Sequence, residues 1–252
     1  MDDDARFLDC PTAVIDVETT GLDPRVDRII EIAVIHMQGG VVIDRYATLV
    51  NPEQDVPEEV QRLTGIEPAQ LTNAPRFAEI AAEVRARLEG KVFVAYNLAF
   101  DRAFVHEELG RAGLDLPSRR YVDPLVFVRE LHKSEGSKRL TAVAERLGIP
   151  LASAHRAADD AEAAGLVLYA LLPRLPERLG ELVMLQQQWE ITQKNEMANW
   201  KGDRGGGAID QGIGQTLDRG NALGPAYVYG DDTDPVRAMF VHLPDAGAAR
   251  RV

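Results

Sequence analysis

The chain of 252 residues contains a single cysteine, Cys10, so it can form no internal disulfide and lacks the partners for a cysteine-based zinc site. It has no apolar run long enough to cross a bilayer. Its start, MDDDARFLD, has neither the basic n-region nor the apolar h-region of a signal peptide. These absences lead us to expect a protein of the reducing cytoplasm, with no membrane partner. Positive charge is scarce as well: 28 Lys and Arg stand against 40 Asp and Glu, a formal net charge of −12. A protein gripping a long nucleic-acid duplex without regard to sequence normally carries a basic footprint, and this composition argues against one.

One stretch departs from that balance. From Arg119 to Arg156 there are eight Lys or Arg (119, 120, 129, 133, 138, 139, 146, 156) against four acids (123, 130, 135, 145), a local charge of +4. It reads either as a basic wall able to hold a short length of phosphate backbone, or as ordinary solvated helix faces.

Against this background three short motifs carry the chemistry. In VIDVETTGL, Asp16 and Glu18 end an apolar, β-branched run over 12–17 that reads as a buried strand. Side chains alternate along a strand, so both acids project from one face while Ile15 and Val17 point the other way. In YNLAFD, a strand over 91–96 leads into a helix, and Asp101 falls in its first turn, where the helix dipole favours a carboxylate. Phe104 reads as core, and Phe100 either as core or as a neighbour of substrate.

The third motif is HRAADDA. His155 and Asp160 are five residues apart, about 140° out of alignment on one helix. The spacing therefore predicts His155 in a loop and a helix starting near residue 156 or 157, with Asp160 in its first turn. Asp159 points about 100° away from Asp160. Four clustered acids would repel one another strongly without cations, and carboxylate oxygens suit Mg²⁺ or Mn²⁺. Asp16, Glu18, Asp101 and Asp160 thus read as ligands for two divalent ions, with His155 as a base that deprotonates water. Phosphodiester hydrolysis is the reaction such a set serves best.

Taken together, the three motifs resemble those of the DEDDh 3′→5′ exonucleases, a group that includes the proofreading epsilon subunit of DNA polymerase III, ribonuclease T and oligoribonuclease. The resemblance runs from about residue 12 to 172 and takes in LTGI (63–66) and the RLTAVAERLGI segment ahead of the histidine. One departure is Tyr96, where relatives often carry His; it lies outside the acidic set. The resemblance implies a ribonuclease H-like fold and release of nucleoside 5′-monophosphates from the 3′ end of single-stranded DNA or RNA. It also implies that Thr19, Thr20 and Gly21, with Leu22, Ile66, Asn97 and Phe100, seat the terminal nucleotide. Two other readings are a ribonuclease H-type endonuclease, which does not call for His155, and a non-enzymatic polymerase accessory module, which would be expected to have lost one of the five residues.

The expected architecture is α/β, a mixed five-stranded sheet flanked by helices. Strands are predicted at 12–17, 29–37, 41–50, 91–96 and 119–123, with a hairpin turn at Gly39 and Gly40. Helices are predicted at 76–89, 99–112, 124–132, 138–147 and 157–172. Asp123 before Pro124 reads as a helix cap or as an acid behind the site. The domain organisation expected is an N-terminal extension (1–11), the catalytic domain (12–172), a helical extension (173–200) and a glycine-rich flexible tail (201–252). Leu175, Leu179, Leu182, Val183 and Trp189 would line one face of the extension helix. Two apolar islands, 226–230 and 236–243, read as a partner-docking or self-docking segment, with a replication or repair protein as the candidate partner. A chain ending near Leu175 is expected to stay folded.

Overall fold

The computed structural model describes residues 2–151 and 155–203, with side chains through Glu196. The chain divides after Ile191, and all that follows concerns the first unit; among the described residues the second holds only the end of the last helix. The expected tail with its islands at 226–230 and 236–243 lies outside the described residues.

A five-stranded sheet forms the centre. Its strands are β1 (Thr12–Thr19), β2 (Ile29–Gln38), β3 (Val41–Leu49), β4 (Val92–Val94) and β5 (Tyr121–Val122), in the order β3-β2-β1-β4-β5. The first three form an antiparallel meander, while β1, β4 and β5 run parallel. β1 is central and buried at every position, in keeping with its largely apolar, β-branched composition. Gly39 and Gly40 both adopt positive φ (59° and 81°), the backbone a two-residue hairpin turn needs.

The helices are α1 (Glu58–Thr64), α2 (Pro68–Leu71), α3 (Phe77–Leu88), α4 (Leu98–Arg111), α5 (Pro124–Leu131), α6 (Leu140–Leu147), α7 (Ala157–Leu171) and α8 (Leu179–Asp203). All five expected strands and all five expected core helices are present. β4 ends earlier than the predicted 96, because the backbone turns at Asn97, whose φ is 69°. Two short helices, α1 and α2, were not anticipated; they pack Val60 and Leu71 with Ile30, Val56 and Ile66 in a small second cluster. α7 lies on β1 and β2, and it comes unusually close at Gly165. A Cβ there would stand 2.4 Å from Met37 Sδ and 3.1 Å from Val14 Cγ2.

The first and last segments of this unit pack together. Phe7 is buried, and its N–H donates to the Glu177 carbonyl at 2.7 Å, while Leu179 N–H donates to the Ala5 carbonyl at 2.9 Å. Leu175, Leu179 and Leu182 are buried in the same core cluster as Val14 and Leu168, and Trp189 packs edge-on against Phe127. The first turns of α8 are therefore core, and a chain cut near Leu175 would lose part of it. No helix among the described residues is long and apolar enough to cross a membrane.

Candidate active site

The site forms where β1 outruns its neighbour. β4 pairs with β1 only from Thr12 to Val14, so beyond that point β1 has a partner only in β2. A bulge between Glu18 and Thr19 then bends the strand end. On the open side the Val17 N–H donates to Asp101 Oδ1 at 3.0 Å. Asp101, in the first turn of α4, thus braces the backbone between Asp16 and Glu18.

Asp16 and Glu18 share the face of β1 that α7 covers, and Asp160 in the first turn of α7 meets them there. These three buried residues each offer a carboxylate oxygen within 4.8 Å of the others. Asp101 is also buried but is not one of this trio. Carboxylates held this close out of water repel one another unless cations or protons intervene. The donor set is all hard oxygen, which fits Mg²⁺ or Mn²⁺.

His155 stands just before α7 in a left-handed conformation, φ 67°. A residue with a side chain rarely adopts this backbone, and the surroundings must hold it there. Its N–H donates to Asp160 Oδ2 at 2.9 Å. Immediately after it, Arg156 reaches the buried Glu31 of β2, with Nη2 to Oε1 at 2.8 Å. Ala157 N–H also donates to Glu31, at 3.2 Å. The loop-then-helix arrangement inferred from the five-residue spacing is the one observed.

Behind Asp101 sits Asp123. Its carboxylate accepts from Leu125 N–H, capping α5, and from Asn97 and Leu98 N–H at the start of α4. Its own N–H donates to Gln186 of α8 at 2.8 Å. Burial pushes the Asp123 carboxyl up to about 6, against the pull of those amide donors. Both readings of Asp123 therefore meet in one side chain: it caps one helix and fixes the helix that carries Asp101.

The residues implied to seat a nucleotide occupy unlike positions. Leu22 is exposed, whereas Thr19, Thr20, Ile66 and Phe100 are buried and Gly21 and Asn97 are partly so. Thr19 Oγ1 donates to the Gly21 carbonyl, and Thr20 Oγ1 accepts from Arg28 N–H and Gln54. A Cβ on Gly21 would stand 2.4 Å from the Asp27 carboxylate, so a larger residue here would have to displace that side chain. Ile66 lies in the small cluster under α1, and Phe100 stacks on Phe104 with centroids 4.8 Å apart.

Much of the basic stretch is engaged within the fold. Arg120 pairs with Asp3, Arg146 with Glu135 and Arg156 with Glu31, and Lys138 donates to the carbonyls of His132, Glu135 and Gly136. Charge counted along the sequence took no account of acids that arrive from elsewhere in the fold. Sequence reasoning missed Glu31 and Arg156 as parts of the site. The one signal was a lone acid inside the apolar run IIEIAVIHM.

A sequence model of the RNase_T family, described as exonuclease, matches residues 13–168. The PolC-type DNA polymerase III of Thermotoga maritima is 34% identical over 197 residues, 76% of this chain and 14% of that protein. The 3′-5′ exonuclease DinG of Bacillus subtilis is 37% identical over 163 residues, 64% of this chain and 18% of that one. The chain thus spans less than a fifth of the length of either relative. Among solved structures, E. coli exonuclease I in complex with a dA16 oligonucleotide has a TM-score of 0.60 at 20% identity, over 66% of this chain and 42% of that one. Exonuclease X in complex with 5′ overhanging duplex DNA has a TM-score of 0.56 at 19% identity, over 69% and 99%. These structural likenesses establish the fold.

Proposed function

The chain belongs to the exonuclease family whose model spans residues 13–168, and from that premise we propose that it hydrolyses phosphodiester bonds stepwise from the 3′ end of single-stranded or frayed nucleic acid. The products are nucleoside 5′-monophosphates, and DNA is the favoured substrate. The observation that carries this reading is the trio Asp16, Glu18 and Asp160, buried and within 4.8 Å of one another, with Asp101 braced beside them. The relatives named as a DNA polymerase III and as a 3′-5′ exonuclease support both the polarity and the choice of DNA. The polymerase relative also favours a partner from replication or repair; docking of that partner through the tail rests on the apolar islands at 226–230 and 236–243 alone.

Asp16, Glu18 and Asp160, joined by Asp101, would hold two Mg²⁺ or Mn²⁺ ions. When bound, such ions offset charge on the phosphate and on the attacking and leaving oxygens. His155 accepts the proton of the attacking water. Asp160 orients that histidine by holding its N–H, and so serves both the cation set and the base. The terminal nucleotide rests against exposed Leu22 and the backbone of 19–21, with Asn97, Phe100 and Ile66 shaping the floor.

A 5′-labelled oligonucleotide incubated with the protein and Mg²⁺ should shorten progressively, and chelation should stop it. Internal cuts appearing first would overturn the exonuclease reading. Asp16→Ala should abolish turnover, and normal turnover in that variant would refute the assignment. Matched DNA and RNA oligonucleotides in the same assay decide the sugar.

A further inference from the structure

We propose that Glu31 and Arg156 form a clamp that positions His155 for proton abstraction, which makes Glu31 a positioning residue of the reaction. The inference rests on the exonuclease reading for its kinetic consequences and on geometry alone for the clamp itself.

Glu31 lies between Ile30 and Ile32 in β2, and it faces Glu18 directly across the β1–β2 pairing. Its side chain is only 4% exposed. An acid in that position beside Glu18 can join the cation-holding set, take up a proton, or find a cation of its own in the protein. The acids within reach of one ion are Asp16, Glu18 and Asp160, and Glu31 is not one of them. Its oxygens go instead to Arg156, with Nε at 3.2 and 3.3 Å and Nη2 at 2.8 Å, and to Ala157 N–H at 3.2 Å. A guanidinium presents its donors in a rigid fork, so this grip fixes direction as well as distance.

The grip falls on the two residues that follow His155. On the other side, Asp160 Oδ2 holds the His155 N–H. His155 is thus fixed before and after its own Cα while its backbone stays left-handed at φ 67°. That conformation persists only when its surroundings over-determine it. Without Glu31 one of the two restraints is gone, the backbone relaxes toward the ordinary region, and the imidazole leaves its working position. Asp160 has other duties; Glu31 has this one.

The experiment uses the full chain with Mg²⁺ and a 5′-labelled oligonucleotide. Glu31→Gln and Arg156→Gln should each lower kcat about 10- to 100-fold, less than the about 10²- to 10⁴-fold expected on removing the base, with KM nearly unchanged. The double variant should be no worse than the weaker single one. In a His155→Ala background, Glu31→Gln should cost less than about twofold, because its effect passes through the missing imidazole. A full further loss in that background would show that Glu31 acts on Glu18 or on the fold, and would overturn the clamp. So would wild-type kcat in Glu31→Gln.

Amide hydrogen exchange supplies a readout that needs no turnover. The Ala157 amide should exchange at least about tenfold faster in Glu31→Gln, and unchanged exchange would also overturn the clamp. If the chain degrades no 3′ end but the exchange result holds, the exonuclease reading falls and the clamp stands. Arg156→Lys keeps a cation beside Glu31 but loses the rigid fork, and so supplies a second variant should Glu31→Gln fail to fold.

Discussion

Ending the chain at Leu175 should largely unfold it. The cut removes Leu179 and Leu182, both fully buried, and burial of such side chains stabilises by about 1.5–3 kcal/mol each. It also takes away Gln186, leaving the buried Asp123 N–H without its acceptor at a cost of about 1–3 kcal/mol. The total, about 4–9 kcal/mol, is comparable with the whole stability of an ordinary domain, about 5–15 kcal/mol. For a unit of this size, each kcal/mol lowers Tm by about 2–4 °C. Thermal unfolding followed by circular dichroism should therefore show a fall of more than about 10 °C, or no transition at all. Leu182→Ala in the full chain isolates the packing contribution and should cost about 2–5 kcal/mol. A truncated chain melting within a few degrees of the full one, or Leu182→Ala costing nothing, would refute the placing of α8 in the core.

Two further predictions concern single acids. Asp160→Ala should reduce turnover by more than about 10²-fold and Asp159→Ala should do little, since only Asp160 reaches Asp16 and Glu18; the reverse result would place the start of α7 in the wrong register. Asp123 is raised to about 6 from an ordinary 3.8, so the folded state holds its proton more tightly than the unfolded chain does. The stability that proton confers is present at low pH and is lost as pH rises through about 6, a change of about 3 kcal/mol. Asp123→Asn cannot titrate, so unfolding free energies of the two proteins measured between pH 4 and 7 should shift relative to each other by that order in the variant's favour. A constant difference would show that the carboxyl is not raised.

The acids that could be read from sequence were those whose position depends on local geometry. Strand alternation puts Asp16 and Glu18 on one face whatever the rest of the chain does, and the five-residue spacing of His155 and Asp160 forbids a shared helix face. The central strands followed from apolar runs, because a strand buried on both faces has little freedom in composition. What escaped depends on contacts between distant segments. Glu31 and Arg156 are 125 residues apart, and neither is unusual until β2 and α7 meet. α1 and α2 are too short for an amphipathic period to emerge, and they exist because Val60 and Leu71 have Ile66 and Ile30 to cover. The basic stretch looked coherent along the chain, but three of its eight charges, on Arg120, Arg146 and Arg156, are answered by Asp3, Glu135 and Glu31.

The close contact at Gly165 bears on the width of the acidic trio. Two of its members ride on the sheet and the third on α7, so their separation is fixed by how near the helix can lie to β1. At Gly165 bare helix backbone rests against Met37 and Val14, and an added methyl group would have to displace the Met37 side chain or lift the helix. Asp160 is five residues earlier, about 7.5 Å along the axis, and any lift of the helix at the glycine carries through to it. A helix raised by one carbon–carbon bond, about 1.5 Å, would spread oxygens that now stand within 4.8 Å. Cation affinity would then act as a gauge of core packing, read out by a residue that touches neither ion nor substrate.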